Sequence, residues 1–420
     1  MRIHFSGIGG IGISALAQLC LSRGDVVSGS EKVRSEVFPV LERLGIPVIM
    51  QQRTDNITED LDLLVYSEAV PETNPERKAA KKRGIRQASY FEYLGEVSKQ
   101  FRTIAFAGTH GKTSSLALFA TASQKGKFDP TVVIGTQLQE FENSNFHRGT
   151  NDWFAVEACE YRRNFRFLEP EIVVLTSVEH DHFDAFPTEE SYFSAFENLV
   201  EKADIVIFHA DDGNARRVLE NFLGKKVPVS REEVPKMDLK VPGEFNQKNA
   251  ALAWAVAREL NLDLKKFQAG LEMFKGSGRR QEVLGEHEGV KIYDDYAHHP
   301  TEIRALIDGI REREKHGKLG IIFEPHQHSR TAALLPEFLS ALRTADVIGL
   351  FPIYTARDSA EDKKRMPNAK LRAALPEAMP VENWEDVDQF WKQFSSGDTV
   401  IFCGAGNISQ FARDWLHPKK

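Results

Sequence analysis

The segment IAFAGTHGKTSSLALFA, residues 104–120, passes from an apolar run into two glycines, a lysine and a threonine, and then into a helical pattern. Gly108 and Gly111 allow the backbone to curl so that its N–H groups face an anion. Lys112 adds a positive charge there, and the hydroxyl of Thr113 is an oxygen ligand that suits magnesium. A phenylalanine stands where the GxxxxGK[ST] pattern has its first glycine. The segment predicts a phosphate-binding loop between a buried strand and a helix, and the alternative is an ordinary turn.

A second glycine-rich turn, GIGGIG at Gly7–Gly12, opens the chain after the apolar run RIHFS. It fits the GxGxxG pattern, and Glu31 lies near the position where dinucleotide-binding folds carry an acid for the ribose hydroxyls. Because a helix N-terminus binds the diphosphate of any nucleotide, the pattern does not choose among ligands. A nucleotide-sugar diphosphate is the favoured interpretation, and a dinucleotide and a purely structural turn are the alternatives.

The composition places the chain among folded proteins of two or three domains. It has 420 residues, of which 41% are hydrophobic and 27% are charged, and a single core rarely grows to that size. The formal net charge of -7 argues against nucleic acid as a partner. Three distant cysteines, with neither a signal peptide nor an apolar run of about 18 residues, predict a cytoplasmic protein with no membrane segment.

Short apolar runs alternate with helical patterns along the chain, which is typical of parallel sheets covered by helices. The predicted fold class is therefore α/β, and breaks in the pattern predict domains at residues 1–98, 99–277 and 278–420. After YAHHP, isoleucine and leucine occur at positions 303, 306, 307 and 310, which is the spacing of one buried helix face. YAHHP is therefore predicted to join a strand to a helix.

Acidic residues and histidines follow two strands of the second domain, in EACE at Glu157–Glu160 and EHDHFD at Glu179–Asp184. Ligands of open α/β sheets bind beyond the carboxyl ends of the strands, so these ends form one candidate site. Glu157 is the first candidate ligand for magnesium. His182 is a candidate for binding a second cation or orienting a substrate, and the alternative is a surface loop residue. Cys159 is predicted to be a packed residue rather than a nucleophile.

The third domain carries DDYAHHP and PHQHSRT, which place several polar side chains on neighbouring strand ends: Asp295, Tyr296, His298, His299, His326, His328 and Arg330. The histidines suggest zinc, but they lack the spacing of a metal motif such as HExxH. A site for a small zwitterion is the favoured interpretation, with Arg330 bound to its carboxylate.

Taken in order, the motifs GIGGIG, GTHGKT, E-A-x-E, H-D-H-x-D, N-x-x-N, RR, DDYAHHPTE and PHxxSRT closely resemble those of the Mur ligases. These are the ATP-dependent amide-forming enzymes of peptidoglycan synthesis, and the resemblance spans nearly the whole chain. It implies an N-terminal Rossmann-like domain for a UDP-sugar, a central P-loop ATPase α/β domain, and a C-terminal Rossmann-like domain for an amino acid. The first glycine turn would then hold the UDP diphosphate and the second the ATP phosphates.

The resemblance also implies roles for individual residues. Lys112 and Thr113 would hold the β- and γ-phosphates and Mg²⁺, Glu157 would bind the same ion, and His182 would bind a second cation. The implied catalytic residues are Lys112, Glu157 and His182, and the implied metal ligands are Thr113, Glu157 and His182. The other implied ATP-binding residues are Gly108, Thr109, His110, Gly111, Ser114, Asn249 at the adenine, Arg280 and Asp295. The implied UDP-sugar-binding residues are Gly9, Gly10, Ile11, Gly12 and Ser30, and the implied amino-acid-binding residues are Tyr296, His298 and Arg330.

Among the Mur ligases, the opening GIGGIG and the closing DDYAHHPTE favour the members that add alanine. The implied substrates are ATP, UDP-N-acetylmuramate and L-alanine, joined through an acyl phosphate by a monomer or a weak homodimer. No lysine occurs between Asp184 and Glu201, where several other members carry a carbamylated one. A member that adds another amino acid or a murein tripeptide ranks second. A non-catalytic nucleotide-binding relative and an NAD-dependent oxidoreductase are the further alternatives.

The chain also differs from the usual Mur ligase motifs. EACEYR stands where EADESD is usual, so that Cys159 and Arg162 occupy acidic positions. Gln327 replaces the first arginine of PHRYSRT, Phe245 replaces a histidine, and the connection at residues 225–244 is short. The preference among alanine, serine and glycine therefore stays open.

Overall fold

The computed structural model describes residues 1–417, and within them the strands form three sheets. The chain divides into two compact units. The first unit comprises Met1–Glu179, Glu190–Met237 and Asn249–Phe274, and the second comprises His180–Glu189, Asp238–Lys248 and the described residues from Lys275 onward. Among the described residues, no helix combines the length and the hydrophobicity that crossing a bilayer requires.

The first sheet lies in the first unit and consists of parallel strands. They are β1 (Arg2–Ser6), β2 (Val26–Ser30), β3 (Val48–Ile49), β4 (Leu63–Tyr66) and β5 (Arg86–Ser89). Their helices are α1 (Ile11–Ser22), α2 (Phe38–Arg43), α3 (Pro75–Arg83) and α4 (Tyr90–Ser98). The strand order β3-β2-β1-β4-β5 reverses direction at β1, and such a reversal opens a crevice at the carboxyl ends of the strands. The first glycine turn follows β1 directly and therefore lies at this crevice.

The second sheet also lies in the first unit. Its strands are β6 (Arg102–Ala107), β7 (Thr131–Leu138), β8 (Ser144–His147), β9 (Trp153–Glu157), β10 (Ile172–Leu175), β11 (Ile205–His209) and β12 (Lys225–Val229). The order is β12-β11-β10-β6-β9-β7-β8, and β8 pairs antiparallel with β7. The accompanying helices are α5 (Lys112–Lys125), α6 (Glu189–Val200), α7 (Gly213–Val218), α8 (Glu244–Glu259) and α9 (Leu264–Met273). The second glycine turn leaves the central strand β6 and enters α5.

The third sheet lies in the second unit. Its strands are β13 (Glu282–His287), β14 (Val290–Asp295), β15 (Leu319–Glu324), β16 (Val347–Leu350), β17 (Met379–Pro380) and β18 (Thr399–Gly404). The order is β13-β14-β18-β15-β16-β17, with β13 antiparallel to β14. The helices are α10 (Pro300–Arg313), α11 (His328–Ala333), α12 (Leu335–Leu342), α13 (Ala360–Arg365), α14 (Asn368–Ala374), α15 (Trp384–Trp391) and α16 (Ile408–Leu416).

The helix that follows YAHHP shows how the sequence pattern produces the core. α10 starts at Pro300, and the side chain of His299 caps it by accepting the N–H of Thr301. Its predicted apolar face is buried, since Ile303 and Ile307 are fully inaccessible to solvent. Burying a side chain of this size stabilises a fold by about 1.5–3 kcal/mol. The tight packing of α10 therefore fixes the end of β14, where the candidate site residues begin.

The three sheets each fall inside one of the ranges 1–98, 99–277 and 278–420 that the sequence predicts for the domains. The boundaries between those ranges stay a prediction. Four short 3₁₀ segments complete the described structure, at Thr54–Asn56, Gln139–Phe141, Tyr161–Phe167 and Arg231–Glu233.

Candidate active site

The second glycine turn presents an uncapped helix N-terminus. α5 begins after Gly111, which has φ 85° and ψ −9°, and no side chain of the described residues caps it. The first N–H groups of a helix have no intrahelical partner, and the helix dipole favours an anion beside them. A Cβ at Gly111 would lie 2.5 Å from Oδ1 of Asn249, so a larger residue would clash there. That oxygen also accepts a hydrogen bond from Ser115 at 3.2 Å, which places the predicted adenine contact against the loop.

Lys112 folds back over this loop. Its Nζ donates to the carbonyl of Gly108 at 2.6 Å, to that of Thr109 at 3.1 Å, and to Oε1 of Glu160 at 3.1 Å. Burial lowers the pKa of Lys112, but the carboxylates of Glu160 and Glu157 outweigh burial and leave the pKa above its usual value. Lys112 therefore stays a cation, held by an acidic side chain beside the place where a phosphate would lie.

Thr113 and Glu157 are the predicted magnesium ligands of this unit. Oγ1 of Thr113 donates to Oε2 of Glu157 at 2.9 Å, and the N–H of Gly135 donates to the same oxygen at 3.0 Å. Octahedral Mg²⁺ takes oxygen ligands at about 2.0–2.1 Å, which places neighbouring ligands about 2.9 Å apart. The two oxygens are 2.9 Å apart because they share a hydrogen bond, and they are close enough to bind one magnesium ion in place of that bond.

Two other residues of the loop hold it in place. Oγ1 of Thr109 donates to the carbonyl of Glu179 and contacts the hydroxyl of Tyr192, both at 2.8 Å. Nε2 of His110 lies 3.0 Å from a carboxylate oxygen of Glu179. Ser114 is partly exposed in the first turn of α5. The side chains of Thr109 and His110 thus serve to anchor the loop, and its backbone remains the candidate phosphate ligand.

The first glycine turn is built on the same plan without a lysine. Gly10 precedes α1, and no side chain of the described residues caps this helix either. The N–H of Gly9 donates to Oε2 of Glu31 at 2.9 Å, so a carboxylate already lies at the start of α1. Ser30 is fully buried and donates to Glu76 at 2.7 Å. Its hydroxyl therefore serves the core of the first sheet, and the burial of Ser30 does not favour its predicted contact with a UDP-sugar.

Tyr90 lies against the first glycine turn. A Cβ at Gly12 would lie 2.8 Å from Cζ and from the hydroxyl oxygen of Tyr90. Burial raises the pKa of Tyr90, and the charge of Glu157 raises it further. The tyrosine therefore lies against the first turn, within range of the charge at the end of β9.

The EACEYR segment has a partly buried thiol and a strained backbone. Burial raises the pKa of Cys159 to about 12, and the charge of Glu160 adds to this effect. Cys159 is therefore a neutral thiol near pH 7, as expected of a packed residue rather than a nucleophile. Arg162 and Arg163 have φ of 50° and 58°, in the left-handed region that disfavours residues with a Cβ. Arg163 also donates to the carbonyl of Ser191 at 2.9 Å.

In the second unit, Asp295 ends β14 and fixes the loop that follows. Its carboxylate accepts the N–H of Gln281 at 2.7 Å and that of Ala297 at 2.8 Å. Burial raises the pKa of Asp295 to about 6, against the opposing effect of Arg280. The guanidinium of Arg280 lies over the ring of Tyr296, 5.2 Å from its centroid. The predicted ATP residues Arg280 and Asp295 are therefore neighbours of a predicted amino-acid residue.

Two neutral histidines lie next to each other in the same unit. The rings of His298 and His326 are 5.8 Å apart, and the ring of Tyr296 is 5.4 Å from that of His298. Burial lowers the pKa of His298 to about 3, although Glu302 opposes the effect. Burial, Arg330 and a further arginine lower the pKa of His326 to about 4. Both imidazoles are therefore uncharged near pH 7. Nδ1 of His298 lies 3.1 Å from the carbonyl of Tyr296, which leaves Nε2 as an acceptor, whereas Nδ1 of His326 accepts from Nη1 of Arg330 at 3.3 Å.

Arg330 is paired with an acid of the H-D-H-x-D motif. Its Nε and Nη2 donate to the two carboxylate oxygens of Asp181 at 2.9 and 3.0 Å. Both side chains are buried, at 2% and 5% exposed. The adjacent His182 has φ 55°, and its Nε2 lies 4.0 Å from Asp181. The predicted roles of Arg330 at an amino-acid carboxylate and of His182 at a cation stay predictions.

Comparison with known proteins gives a family for this arrangement. Family models match residues 2–102 (Mur ligase family, catalytic domain), 106–234 (Mur ligase middle domain) and 279–406 (Mur ligase, glutamate ligase domain). The UDP-N-acetylmuramate--L-alanine ligase of Lachnospira eligens is 33% identical, over 99% of this chain and 98% of the relative. This chain belongs to the Mur ligase family. The corresponding protein of Clostridium acetobutylicum is also 33% identical, over 99% of this chain and 97% of the relative.

Solved structures agree with this Mur ligase assignment. The UDP-N-acetylmuramate-alanine ligase MurC from Thermotoga maritima has a TM-score of 0.82 and 27% identity, covering 99% of this chain and 98% of that one. A murein peptide ligase from Psychrobacter arcticus has a TM-score of 0.76, but its 21% identity supports only the shared fold. The predicted Mur ligase resemblance and the three-domain α/β class are confirmed, and the family uses ATP.

Several partners in this Mur ligase site are missed by sequence reasoning. Glu160, Tyr90 and Asp181 contact predicted site residues, yet the sequence points to none of them as a partner. The sequence does contain a signal for Glu160 as a partner, because it lies at the end of the same motif as Glu157. It contains none for Tyr90, since Tyr90 follows a different strand of a different sheet. Asp181 lies within the H-D-H-x-D motif, but its partner Arg330 is 149 residues away.

Proposed function

We propose that this chain is an ATP-dependent ligase that joins L-alanine to UDP-N-acetylmuramate through an acyl phosphate. The observation that carries the proposal is the presence of two uncapped helix N-termini in one unit, of which only the second adds Lys112, Thr113 and Glu157. The two turns would differ in this way because the first only binds its anionic ligand, whereas the second also helps to cleave its ligand. The substrates are those named for the relatives that align over 99% of the chain.

In the first step, an oxygen of the lactyl carboxylate attacks the γ-phosphorus of ATP, and ADP leaves. Lys112 supplies a positive charge to the phosphates, and its raised pKa keeps it protonated. Thr113 and Glu157 would hold Mg²⁺, which when bound neutralises phosphate charge. The N–H groups at the start of α5 bind phosphate oxygens without having to reorganise.

In the second step, the neutral amine of L-alanine attacks the carbonyl carbon of the acyl phosphate. A tetrahedral intermediate collapses, inorganic phosphate leaves with the C–O bond electrons, and the proton of the amine passes to the departing phosphate. His298 is uncharged near pH 7, and its Nε2 would accept a hydrogen bond from the incoming amine. At the first glycine turn, Tyr90 would limit the space that is available to the sugar nucleotide.

The test is phosphate release from the purified full chain with ATP, magnesium, UDP-N-acetylmuramate and a panel of amines. The panel contains L-alanine, L-serine, glycine and a murein tripeptide, and controls omit the sugar nucleotide or the amine. We expect release only in complete mixtures, with L-alanine best. Preference for the tripeptide would reassign the chain to the peptide-adding type, and no release with any amine would contradict a ligase. Nicotinamide absorbance in the same mixtures with NADH tests the oxidoreductase alternative.

The compartment and the oligomeric state belong to the same proposal. Cys20, Cys159 and Cys403 are all free thiols, as expected in a reducing compartment. We therefore place the reaction in the cytoplasm, where nucleotide substrates and ATP are available. A monomer or a weak homodimer is the expected state, and light scattering across a range of protein concentrations measures it.

A further inference from the structure

A hairpin of the second sheet contacts the helix that begins at the first glycine turn. The hairpin consists of β7 and β8, and the helix is α1, which follows β1 of the first sheet. Four polar side chains, the amide cluster, join the two elements and are each at most 5% exposed: Ser14 and Gln18 of α1, and Ser144 and Asn145 of β8. Polar side chains are rarely buried to this extent unless they form hydrogen bonds within the protein. The hydrogen bonds of the amide cluster therefore determine how α1 and β8 fit together.

The side-chain amide of Asn145 lies at the centre of the amide cluster. Its oxygen accepts a hydrogen bond from the amide nitrogen of Gln18 at 2.7 Å. Its nitrogen donates to the hydroxyl of Ser14 at 2.9 Å and to the carbonyl of Ile11. The amide oxygen of Gln18 accepts from the hydroxyl of Ser144 at 2.8 Å. Positions 11, 14 and 18 lie on one face of a helix, so β8 is bound along a single face of α1.

One of these contacts lies at the first glycine turn itself. Ile11 is the first residue of α1 and directly follows Gly10 of the turn. The N–H groups at this helix start are the candidate ligands of a diphosphate. The hydrogen bond from Asn145 to the Ile11 carbonyl therefore fixes those N–H groups relative to β8.

The same hairpin also contacts the second predicted nucleotide site. The N–H of Gly135 in β7 donates at 3.0 Å to Oε2 of Glu157, the oxygen that also accepts the hydroxyl of Thr113. β7 pairs in addition with β9, whose last residue is Glu157. Thr113 lies in the first turn of α5, which begins at the second glycine turn. The hairpin is therefore hydrogen-bonded to elements of both predicted nucleotide sites.

Two further hydrogen bonds between the hairpin and the first sheet's connections are exposed to solvent. Arg43 of α2 donates to the carbonyl of Glu142 at 3.0 Å, and Gln137 donates to the carbonyl of Glu36 at 3.2 Å. Water competes for exposed hydrogen bonds, so they contribute little to a fixed geometry. The buried amide cluster is therefore the contact that fixes the hairpin against α1.

The proposed chemistry depends on the separation of the two glycine turns. The lactyl carboxylate belongs to the ligand of the first turn, and the γ-phosphate belongs to the ligand of the second. Reacting atoms have to approach to about 3–3.5 Å in the correct orientation, and a misplacement of about 1 Å can lower a rate about 100-fold. Apolar contacts alone would let two surfaces slide, whereas buried amide hydrogen bonds have a fixed direction and select one arrangement.

We propose that Asn145 and Gln18 are positioning residues for phosphoryl transfer, which hold the two glycine turns at the separation that attack on the γ-phosphate requires. The inference rests on the proposed ligase function and deepens it. It assigns a role in the first chemical step to two side chains that are too buried to bind a ligand. Their loss should therefore lower the rate of that step and leave the binding of each nucleotide unchanged.

The experiment measures the first chemical step separately from binding. In mixtures of the full chain, magnesium, ATP, UDP-N-acetylmuramate and labelled ADP without an amine, ADP attacks the phosphorus of the acyl phosphate, and ATP and the carboxylate form again. Isotope exchange between ADP and ATP therefore reports this step alone. Gln18→Met and Asn145→Leu keep the approximate size of each side chain and remove its hydrogen bonds. Each should lower the exchange rate about 10- to 100-fold, and kcat with it.

Calorimetry supplies the binding constants for the same variants. The Kd of UDP-N-acetylmuramate and that of the magnesium complex of a non-hydrolysable ATP analogue, each measured alone, should stay within about twofold of the wild-type values. The double variant should lose little more activity than the more severe single variant, because either change already breaks the hydrogen bond that Gln18 and Asn145 share.

Two matched controls lie in the same hairpin and at its exposed contact. Gln139→Met makes the same substitution at an exposed glutamine between β7 and β8. Arg43→Gln removes the exposed hydrogen bond between α2 and the hairpin. Both controls should leave the exchange rate and kcat within about twofold of the wild-type values.

Ser144→Ala is a milder variant, which removes the hydroxyl bound to Gln18 and leaves the amide of Asn145 in place. It should lower the exchange rate by less than the other two variants, and it decides the question if they do not fold. Exchange at the wild-type rate in a folded variant, or a loss that weaker binding of one nucleotide explains completely, overturns this inference alone. Absence of both exchange and turnover in the wild type overturns the proposed function, and this inference falls with it.

Discussion

The two glycine turns of the first unit share one backbone plan and differ in the side chains placed around it. Each follows a parallel strand, and each leads into a helix whose N-terminus no described side chain caps. At the first turn, the carboxylate of Glu31 accepts the N–H of Gly9. At the second, Lys112 adds a cation and Thr113 with Glu157 adds a pair of oxygen ligands. Backbone N–H groups suffice to bind a diphosphate. Cleaving a phosphate bond needs additional charge, which stabilises the transition state.

Both turns already bind an acid of the protein itself. Glu31 accepts the Gly9 N–H, and Glu160 pairs with Lys112 at 3.0 Å. Each carboxylate takes a position that suits an anionic ligand, so a phosphate would have to displace it. The two turns differ in how a phosphate can displace the carboxylate. Lys112 can rotate away from Glu160 because its side chain is flexible, whereas the backbone N–H of Gly9 is fixed. Variants that alter one turn at a time test this difference.

The largest effect is expected from Lys112→Ala. Removing the cation should lower kcat about a thousandfold, since a preorganised charge at the transferring phosphate has effects of that order. Affinity for UDP-N-acetylmuramate, measured by calorimetry without ATP, should be unchanged, because the first turn is untouched. Lys125→Ala, an exposed lysine at the end of the same helix, is the control. Turnover near the wild-type rate with Lys112→Ala would exclude the second turn from the chemistry.

Smaller effects, each limited to one nucleotide, are expected from Gly111→Ala and Gly12→Ala. The first places a Cβ 2.5 Å from Asn249 at a φ of 85°, and the second places one 2.8 Å from Tyr90. Gly111→Ala should weaken ATP binding about 100-fold, because it adds backbone strain to the clash, and Gly12→Ala should weaken UDP-N-acetylmuramate binding about tenfold. Calorimetry with each nucleotide on each variant measures both constants. Equal loss of both nucleotides in either variant would mean that the turns are not separate sites.

Sequence patterns predict the local parts of this fold well and the edges of its sheets poorly. α1 is found at Ile11–Ser22, as expected from the first glycine turn. β13 has a weak sequence signal, because its hairpin turns at Glu288 and Gly289 with φ of 51° and 78°. A glutamate is an uncommon residue at such a position. The edge strand β12 is also hard to predict, because its sequence KKVPV carries two lysines and a proline, which suit an edge strand but are also typical of a loop.

The candidate site divides in the same way between local and distant contacts. Lys112 and Thr113 follow from one motif, because a strand, a glycine turn and a helix place them together within a few residues. The pairing of Arg330 with Asp181 joins residues 149 positions apart, and the contact of Tyr90 with Gly12 depends on how α4 packs. Such contacts depend on tertiary packing, which a single sequence does not encode by spacing. The sequence therefore predicts candidate side chains for the chemistry but not the acids that form hydrogen bonds with them.

The smallest effect, and the one of opposite sign, is expected from Glu31→Gln. The carboxylate of Glu31 now accepts the Gly9 N–H, and its charge would repel a diphosphate at the start of α1. Neutralising it should tighten UDP-N-acetylmuramate binding about threefold at low salt, and the gain should shrink as salt screens the charges. ATP binding should not change, and Glu59→Gln, which alters an exposed acid in the turn before β4, should affect neither ligand.

Weaker binding of the sugar nucleotide to Glu31→Gln would instead show that Glu31 holds the ligand directly. An acid at this position of a GxGxxG turn accepts hydrogen bonds from ribose hydroxyls in dinucleotide-binding proteins, and uridine ribose offers the same two groups. A gain in affinity would show that the charge of Glu31 opposes the diphosphate. A loss of affinity would show that Glu31 binds the ribose hydroxyls. At the second turn the corresponding acid, Glu160, faces a lysine rather than a backbone amide. Removing a charge there changes the position of Lys112, so a gain in affinity is expected only at the first turn.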